Sequence, residues 1–250
     1  MKKQRRLSPS RIIACVALSF LTVVLVCLGV WQVERLSWKH VLIARVDARV
    51  HSAPVAPPAQ AQWETLSAEG DEYRRVTMSG LFENDRESLV YASTALGPGY
   101  WVMTPLRLAD DTAIIVNRGF VPLDMKNPLT RQPGQIGGAT SITGLIRLSE
   151  PKGSLLRSND PSTGRWYSRD VAAIAQKNGV ENAAPFFVDA DETPNPGGLP
   201  VGGLTVIDFP NNHLVYAITW FVLALMAAGL LVIMVRTAKA RHDDDRLAIP

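Results

Sequence analysis

Two long runs of this chain carry no charge. Residues 12–33 lie between Arg11 and Glu34, and residues 214–235 between His213 and Arg236. A hydrocarbon layer of ~30 Å needs about 20 helical residues to cross it, so transmembrane helices are expected over 12–33 and 213–235. A buried core helix would be shorter and polar on one face. The first run also exceeds the about 7–15 residues of a signal-peptide core. It leads into Trp31-Gln32-Val33-Glu34-Arg35, with no small-residue cleavage site, and so reads as an uncleaved anchor.

Between the runs the pattern changes to short, alternating or β-branched stretches. Strands are expected over 73–80, 88–91, 100–106, 112–119, 141–147, 186–188 and 204–207, the third stopping at a proline. One helix is expected over 168–178, with Ser168 as N-cap and Gly179 as stop. Residues 191–203, rich in Pro and Gly, read as a long loop. No repeat or coiled-coil heptad is visible. The fold class expected is membrane α+β: two transmembrane helices flanking a mainly-β outer domain with one helix. The expected order is a tail (1–11), the first span (12–33), a helical extension with a Pro/Ala linker (34–62), the outer domain (63–212), the second span (213–235) and a second tail (236–250).

Charge sets the orientation. Lys2, Lys3, Arg5, Arg6 and Arg11 precede the first span, and Arg236, Lys239 and Arg241 follow the second. Basic residues beside a span stay cytoplasmic, so both ends are expected inside and the middle outside a cell membrane. Residues 34–212 hold 17 basic and 20 acidic residues, so the overall charge of +3 comes from the tails. It reports topology and contact with lipid, and points to no nucleic acid.

Composition also limits the chemistry. Cys15 and Cys27 both lie in the first span, and the histidines are His40, His51, His213 and His242. Residues 63–212 therefore contain neither Cys nor His. That excludes a Ser-His-Asp triad, a cysteine nucleophile and a His-rich metal site within the domain, and no enzyme is expected. A carboxylate hydrolase would need a pair of acids in a cleft. The adjacent pairs Asp110-Asp111 and Asp191-Glu192 read as turns. Gly97-Pro98-Gly99 lacks the donors of a phosphate loop.

His213, Tyr216 and Trp220 fall on one face of the second span, at its outer end. They form either an interfacial aromatic belt or a haem site with His213 as iron ligand. Trp31, Arg35 and Trp38 share a face just beyond the first span. They are an interfacial anchor, or a docking surface for the second span or a partner.

Leu28-Gly29-Val30-Trp31-Gln32-Val33-Glu34-Arg35-Leu36-Ser37-Trp38-Lys39 resembles the opening motif of the surfeit locus protein 1 family. Tyr73-Arg74-Arg75-Val76 with Gly80-Leu81-Phe82, and Gly99-Tyr100-Trp101-Val102-Met103-Thr104-Pro105-Leu106, resemble its next motifs. Asn117-Arg118-Gly119-Phe120-Val121-Pro122 is similar to a further one, with Phe120 where Trp is usual. Asn159-Asp160-Pro161, Trp166-Tyr167-Ser168-Arg169-Asp170 and Asn211-Asn212-His213-Leu214 complete the ordered series.

The resemblance implies a bacterial inner-membrane assembly factor for haem-copper cytochrome c oxidase. Such a factor would bind haem a and aid its insertion into the catalytic subunit, and enzymes of haem a synthesis would be possible partners. His213 matches the family's candidate haem ligand, and Arg118 would meet a haem propionate or the oxidase surface, or form an ordinary salt bridge. The alternatives are a membrane scaffold for oxidase subunits without a cofactor and a tethered carboxylate hydrolase.

Overall fold

A computed structural model describes residues 9–154, 156–207 and 209–247, with side chains described to residue 237. Most of both expected tails, including Lys2, Lys3, Arg5, Arg6, Lys239 and Arg241, lies outside the residues or side chains described. The chain divides into two compact units. One comprises Met1–Ala44 with Asp208–Pro250, the other Arg45–Ile207.

The first unit is a pair of helices. α1 is one continuous helix, Pro9–Val50, so the polar stretch after the first span remains helical. The final helix is His213–Leu247, called α4 because two shorter helices precede it. Both are long and apolar enough to cross a membrane. They meet along a narrow seam. Leu25, Gly29 and Gln32 of α1 are buried, as are Ala217, Ala224 and Ala227 of α4, with Trp220 packed against Leu25 and the two later alanines. Spacings of three and four residues are those of a coiled-coil face. The seam spans little more than about one heptad of each helix. The sequence hides it because the lipid-facing positions are as apolar as the packed ones. Small side chains mark the seam instead: a Cβ added at Gly29 would lie 2.7 Å from the ring of Phe221.

The second unit is a barrel-like sheet. Its strands are β1 (Arg75–Phe82), β2 (Ser88–Thr94), β3 (Gly97–Leu108), β4 (Ala113–Pro122), β5 (Thr140–Leu148) and β8 (Ala183–Ala190). A separate two-stranded ribbon pairs β6 (Gly153–Ser154) with β7 (Arg157–Ser158). The large sheet runs β1-β5-β8-β4-β3-β2, and β1 also pairs with the far end of β3. Five strands therefore close on themselves, and β2 covers the rest of the β3 edge. Only β4 and β8 pair in parallel within this sheet.

β4 is buried along nearly its whole length because both its faces are covered. Ile114 and Val116 join Val76, Phe82, Leu106, Ile146, Phe186 and Val188 in one core. Ala113 and Ile115 face a second, with Phe187 and the helix α3 (Val171–Asn178), which contributes Val171, Ile174 and Ala175. Period two in the strand and the i, i+3, i+4 pattern in the helix build the two cores together. α2 (Ala68–Asp71) is a single turn near the start of the domain.

Several expectations change in detail. Pro105 lies inside β3 rather than ending it. Its carbonyl accepts from Glu83 N, so its ring nitrogen also faces the short gap between β2 and β1, where no donor is needed. Ser168 does not cap α3. Asp170 does, accepting from Ala173 N, while the Ser168 hydroxyl donates to Glu150 O. Gly179 ends the helix as expected, at φ 63°. Residues 204–207 form no strand; Val201, just before them, bridges to Phe120. The compact unit begins at Arg45 rather than near Trp63. Val46 is buried, and Arg49 donates to the carbonyls of Glu69 and Glu72.

Candidate functional site

The helical unit brings together residues that sequence spacing alone kept apart. His213 is the first residue of α4, and the Asn212 carbonyl accepts from Tyr216 N to close the first turn. The imidazole Nδ1 lies 2.7 Å from Oε1 of Gln32 on α1. Gln32 is only 8% exposed, an unusual place for an amide unless it is bonded. Trp220 follows His213 by seven residues, two helical turns along the same seam. Its indole N–H is buried without a hydrogen-bond partner, as is Oδ1 of Asn211. Lys39 places its ammonium 5.4 Å over the ring of Phe209, just before α4.

Tyr216 does not join this seam. It is 54% exposed and turns away from α1, while Ala217 takes the buried position beside His213 and Trp220. Trp31 and Trp38 are also about half exposed, and the Arg35 guanidinium stacks 4.8 Å from the Trp38 ring. This face of α1 is therefore not among the buried positions of the seam with α4. The seam uses Gln32, one residue on from Trp31. Sequence reasoning missed Gln32 because a lone amide beside a charged stretch looks like solvated surface. Its signal was the four-three spacing from Leu25 and Gly29.

Arg118 is not a surface group. It is 1% exposed, with its guanidinium 4.5 Å over the ring of Phe82. It donates to Asn84 Oδ1, Gly134 O and Asn195 Oδ1. Burial pulls its pKa down to about 10, which still leaves it charged at neutral pH. Arg118 is thus held inside the domain by hydrogen bonds rather than presented at its surface.

A second polar cluster lies in the barrel domain around Asp189. Asn117 donates to it at 2.7 Å, Arg147 and Arg169 at 3.3 and 3.1 Å, and Thr205 at 3.1 Å. A cavity of about 210 Å³ opens beside these side chains. Arg169 is raised above its ordinary pKa: burial opposes its charge, but the hydrogen bonds it donates to Glu150 and the charge of Asp189 outweigh burial. Every member of the cluster is paired, as a framework requires. The acidic pairs serve as turns. Asp110 accepts from Thr112, which holds its carboxyl below the ordinary value, and Asp191 accepts from Thr193 N. Among the described residues no group of three or more His, Cys, Asp or Glu side chains is arranged to hold a metal ion.

Comparison with known proteins follows the same residues. The profile of the SURF1 family matches residues 19–225, from within the first span to the first part of α4. Surfeit locus protein 1 of Rattus norvegicus is 36% identical over 210 residues, covering 78% of this chain and 66% of the rat protein, just under two thirds of its length. That of Homo sapiens is 36% identical over 221 residues, covering 81% of this chain and 71% of the human protein. A SURF1-like protein of Monosiga brevicollis is 35% identical over 233 residues, 88% of this chain and 87% of its own.

Proposed function

The chain belongs to the SURF1 family, and we propose that it is a non-enzymatic assembly factor for haem-copper cytochrome c oxidase that carries haem a as cargo and aids its insertion into the catalytic subunit. The observation that supports this is the setting of His213. It stands on the seam between two membrane-capable helices, with Nδ1 engaged by Gln32 and no hydrogen bond at Nε2 among the described residues. An imidazole with one nitrogen held and the other open is the donor a haem iron needs. The donor set fits: an imidazole, an unpartnered indole N–H at Trp220 and apolar helix faces around them. Exposed Tyr216 would form an outer wall rather than part of the seam. Haem a would be bound at the outer face of a bacterial cell membrane with both termini cytoplasmic, received from the enzymes that make it and passed to the oxidase.

The test is a visible spectrum of the purified protein after co-expression with haem a synthesis enzymes, for wild type and His213→Ala. A Soret band with an a-type pyridine haemochrome that fades in the variant is the expected result. Equal haem content in the two proteins would remove His213 as ligand.

One observation favours a second reading, a scaffold for oxidase subunits without a cofactor. Trp31 and Trp38 are about half exposed, with Arg35 stacked on the Trp38 ring. On that reading, Trp31→Ala combined with Trp38→Ala abolishes copurification with the oxidase, and the wild type carries no Soret band.

A further inference from the structure

We infer that Gln32 is a positioning residue that holds the His213 ring in its Nδ1–H tautomer and so leaves Nε2 as the nitrogen with a free lone pair. The inference rests on the haem-carrying reading above and adds the group that prepares the ligand.

A side-chain amide oxygen carries no hydrogen, so the 2.7 Å contact between Gln32 Oε1 and His213 Nδ1 needs the proton on Nδ1. In a neutral imidazole the other nitrogen is then unprotonated, the state required to ligate a metal. Metal-binding histidines are commonly oriented this way, by an acceptor bonded to the ring nitrogen that does not touch the metal. The neutral imidazole free in water prefers the opposite tautomer, with the proton on Nε2. Without a partner at Nδ1, His213 would thus spend much of its time in a form that cannot ligate through Nε2.

The helices make the contact rigid as well as specific. Gln32 is 8% exposed and lies on the same four-three seam as Leu25 and Gly29. Gly29 is one turn before it, and the close approach of Phe221 there sets how near α4 comes to α1. In an apolar surrounding, the amide and the imidazole lose more by separating than they would in water, because each would leave a buried polar group unpaired. Oε1, and not only the position of the residue, is therefore the part that matters. A Glu at this site keeps an acceptor, whereas a Leu of similar bulk removes it.

The experiment is nitrogen NMR of the full-length, haem-free protein in lipid bilayers with ¹⁵N-labelled histidine, the His213 signals being assigned by their loss in His213→Ala. Wild type is expected to show a protonated Nδ1 and an unprotonated Nε2. Gln32→Leu is expected to shift His213 toward the Nε2–H tautomer and to weaken haem a binding by roughly ten- to a hundredfold in titrations. Gln32→Glu is expected to keep the Nδ1–H tautomer and to bind haem a within a few-fold of wild type, which shows that the helix pair tolerates change at this position. A wild-type His213 protonated on Nε2 would overturn the assignment. So would a Gln32→Leu protein with the wild-type tautomer and haem affinity. If instead Gln32→Leu changes the tautomer while His213→Ala binds haem a as well as wild type does, the haem reading fails, and with it the role in ligation.

Discussion

Asn117 on β4 and Asp189 on β8 face each other across the one parallel pairing of the barrel, Asn117 Nδ2 lying 2.7 Å from Asp189 Oδ1. The same carboxylate holds Arg147 and Arg169 and is 3% exposed. Removing it leaves Arg147 with Glu72 and Arg169 with Glu150 as their remaining acceptors, and takes the carboxylate from Asn117 and Thr205. Asp189→Ala is expected to lower the stability of the barrel domain by about 3–5 kcal/mol, the usual cost of breaking a buried ion pair from one side. Urea denaturation followed by tryptophan fluorescence measures it. A loss below about 1 kcal/mol would mean that the cluster is not a framework.

Arg118 gives a contrasting test of role. Arg118→Met keeps the aliphatic stem against Phe82 but removes the donors to Asn84, Gly134 and Asn195. Each buried acceptor left alone costs about 1–3 kcal/mol, so a marked fall in the denaturation midpoint is expected. Were Arg118 a docking group, the same variant would fold with wild-type stability and lose only a partner, which pull-down from membranes would reveal.

Gly119 follows Arg118 at φ 127°, a conformation that side chains other than glycine rarely adopt, and a Cβ there would run into the carbonyl of Val201. That approach is needed because Phe120 N and O both bond to Val201 and pin the long 191–203 loop over the barrel. Backbone strain alone costs about 1–3 kcal/mol. Gly119→Ala is therefore expected to release the loop. Faster proteolysis between residues 191 and 203, at unchanged secondary structure, is the measurement.

Glu150 links stability to pH. Burial pushes its pKa up, but the hydrogen bonds and charge of Arg169 and the charge of Arg147 outweigh burial and hold it below the ordinary 4.5. The folded-state value is thus depressed, and the unfolded chain takes up this proton first as the pH falls. The contribution of the pair is complete above about pH 4.5 and is lost as the pH falls through the folded-state value. Thermal midpoints of wild type and Glu150→Gln should differ at neutral pH and converge well below pH 4.5. A constant difference across that range would count against the pair as the cause.

Much of this molecule was legible one segment at a time. The two uncharged runs, the β-branched stretch of β4 and the glycine stop at Gly179 are local signals, and each lies where the pattern put it. The misplaced elements are those decided by neighbours. Residues 204–207 have strand propensity but pair with no strand, and Pro105 sits in a strand because the neighbouring edge needs no donor there. The seam between α1 and α4 was invisible for a related reason: in an all-apolar segment, hydrophobicity no longer distinguishes packed positions from lipid-facing ones.

Sequence alone determined the two membrane-capable spans, a domain without Cys or His between them, and a histidine at the start of the second span. These follow from composition and local periodicity, which need no knowledge of distant neighbours. The tertiary structure decided what those residues meet. It buried Arg118 beneath its own loops, turned Tyr216 away from α1, and set Gln32 against a histidine 181 positions further along the chain. Contacts of that kind depend on how the chain closes on itself, and closure is a property of the packed whole.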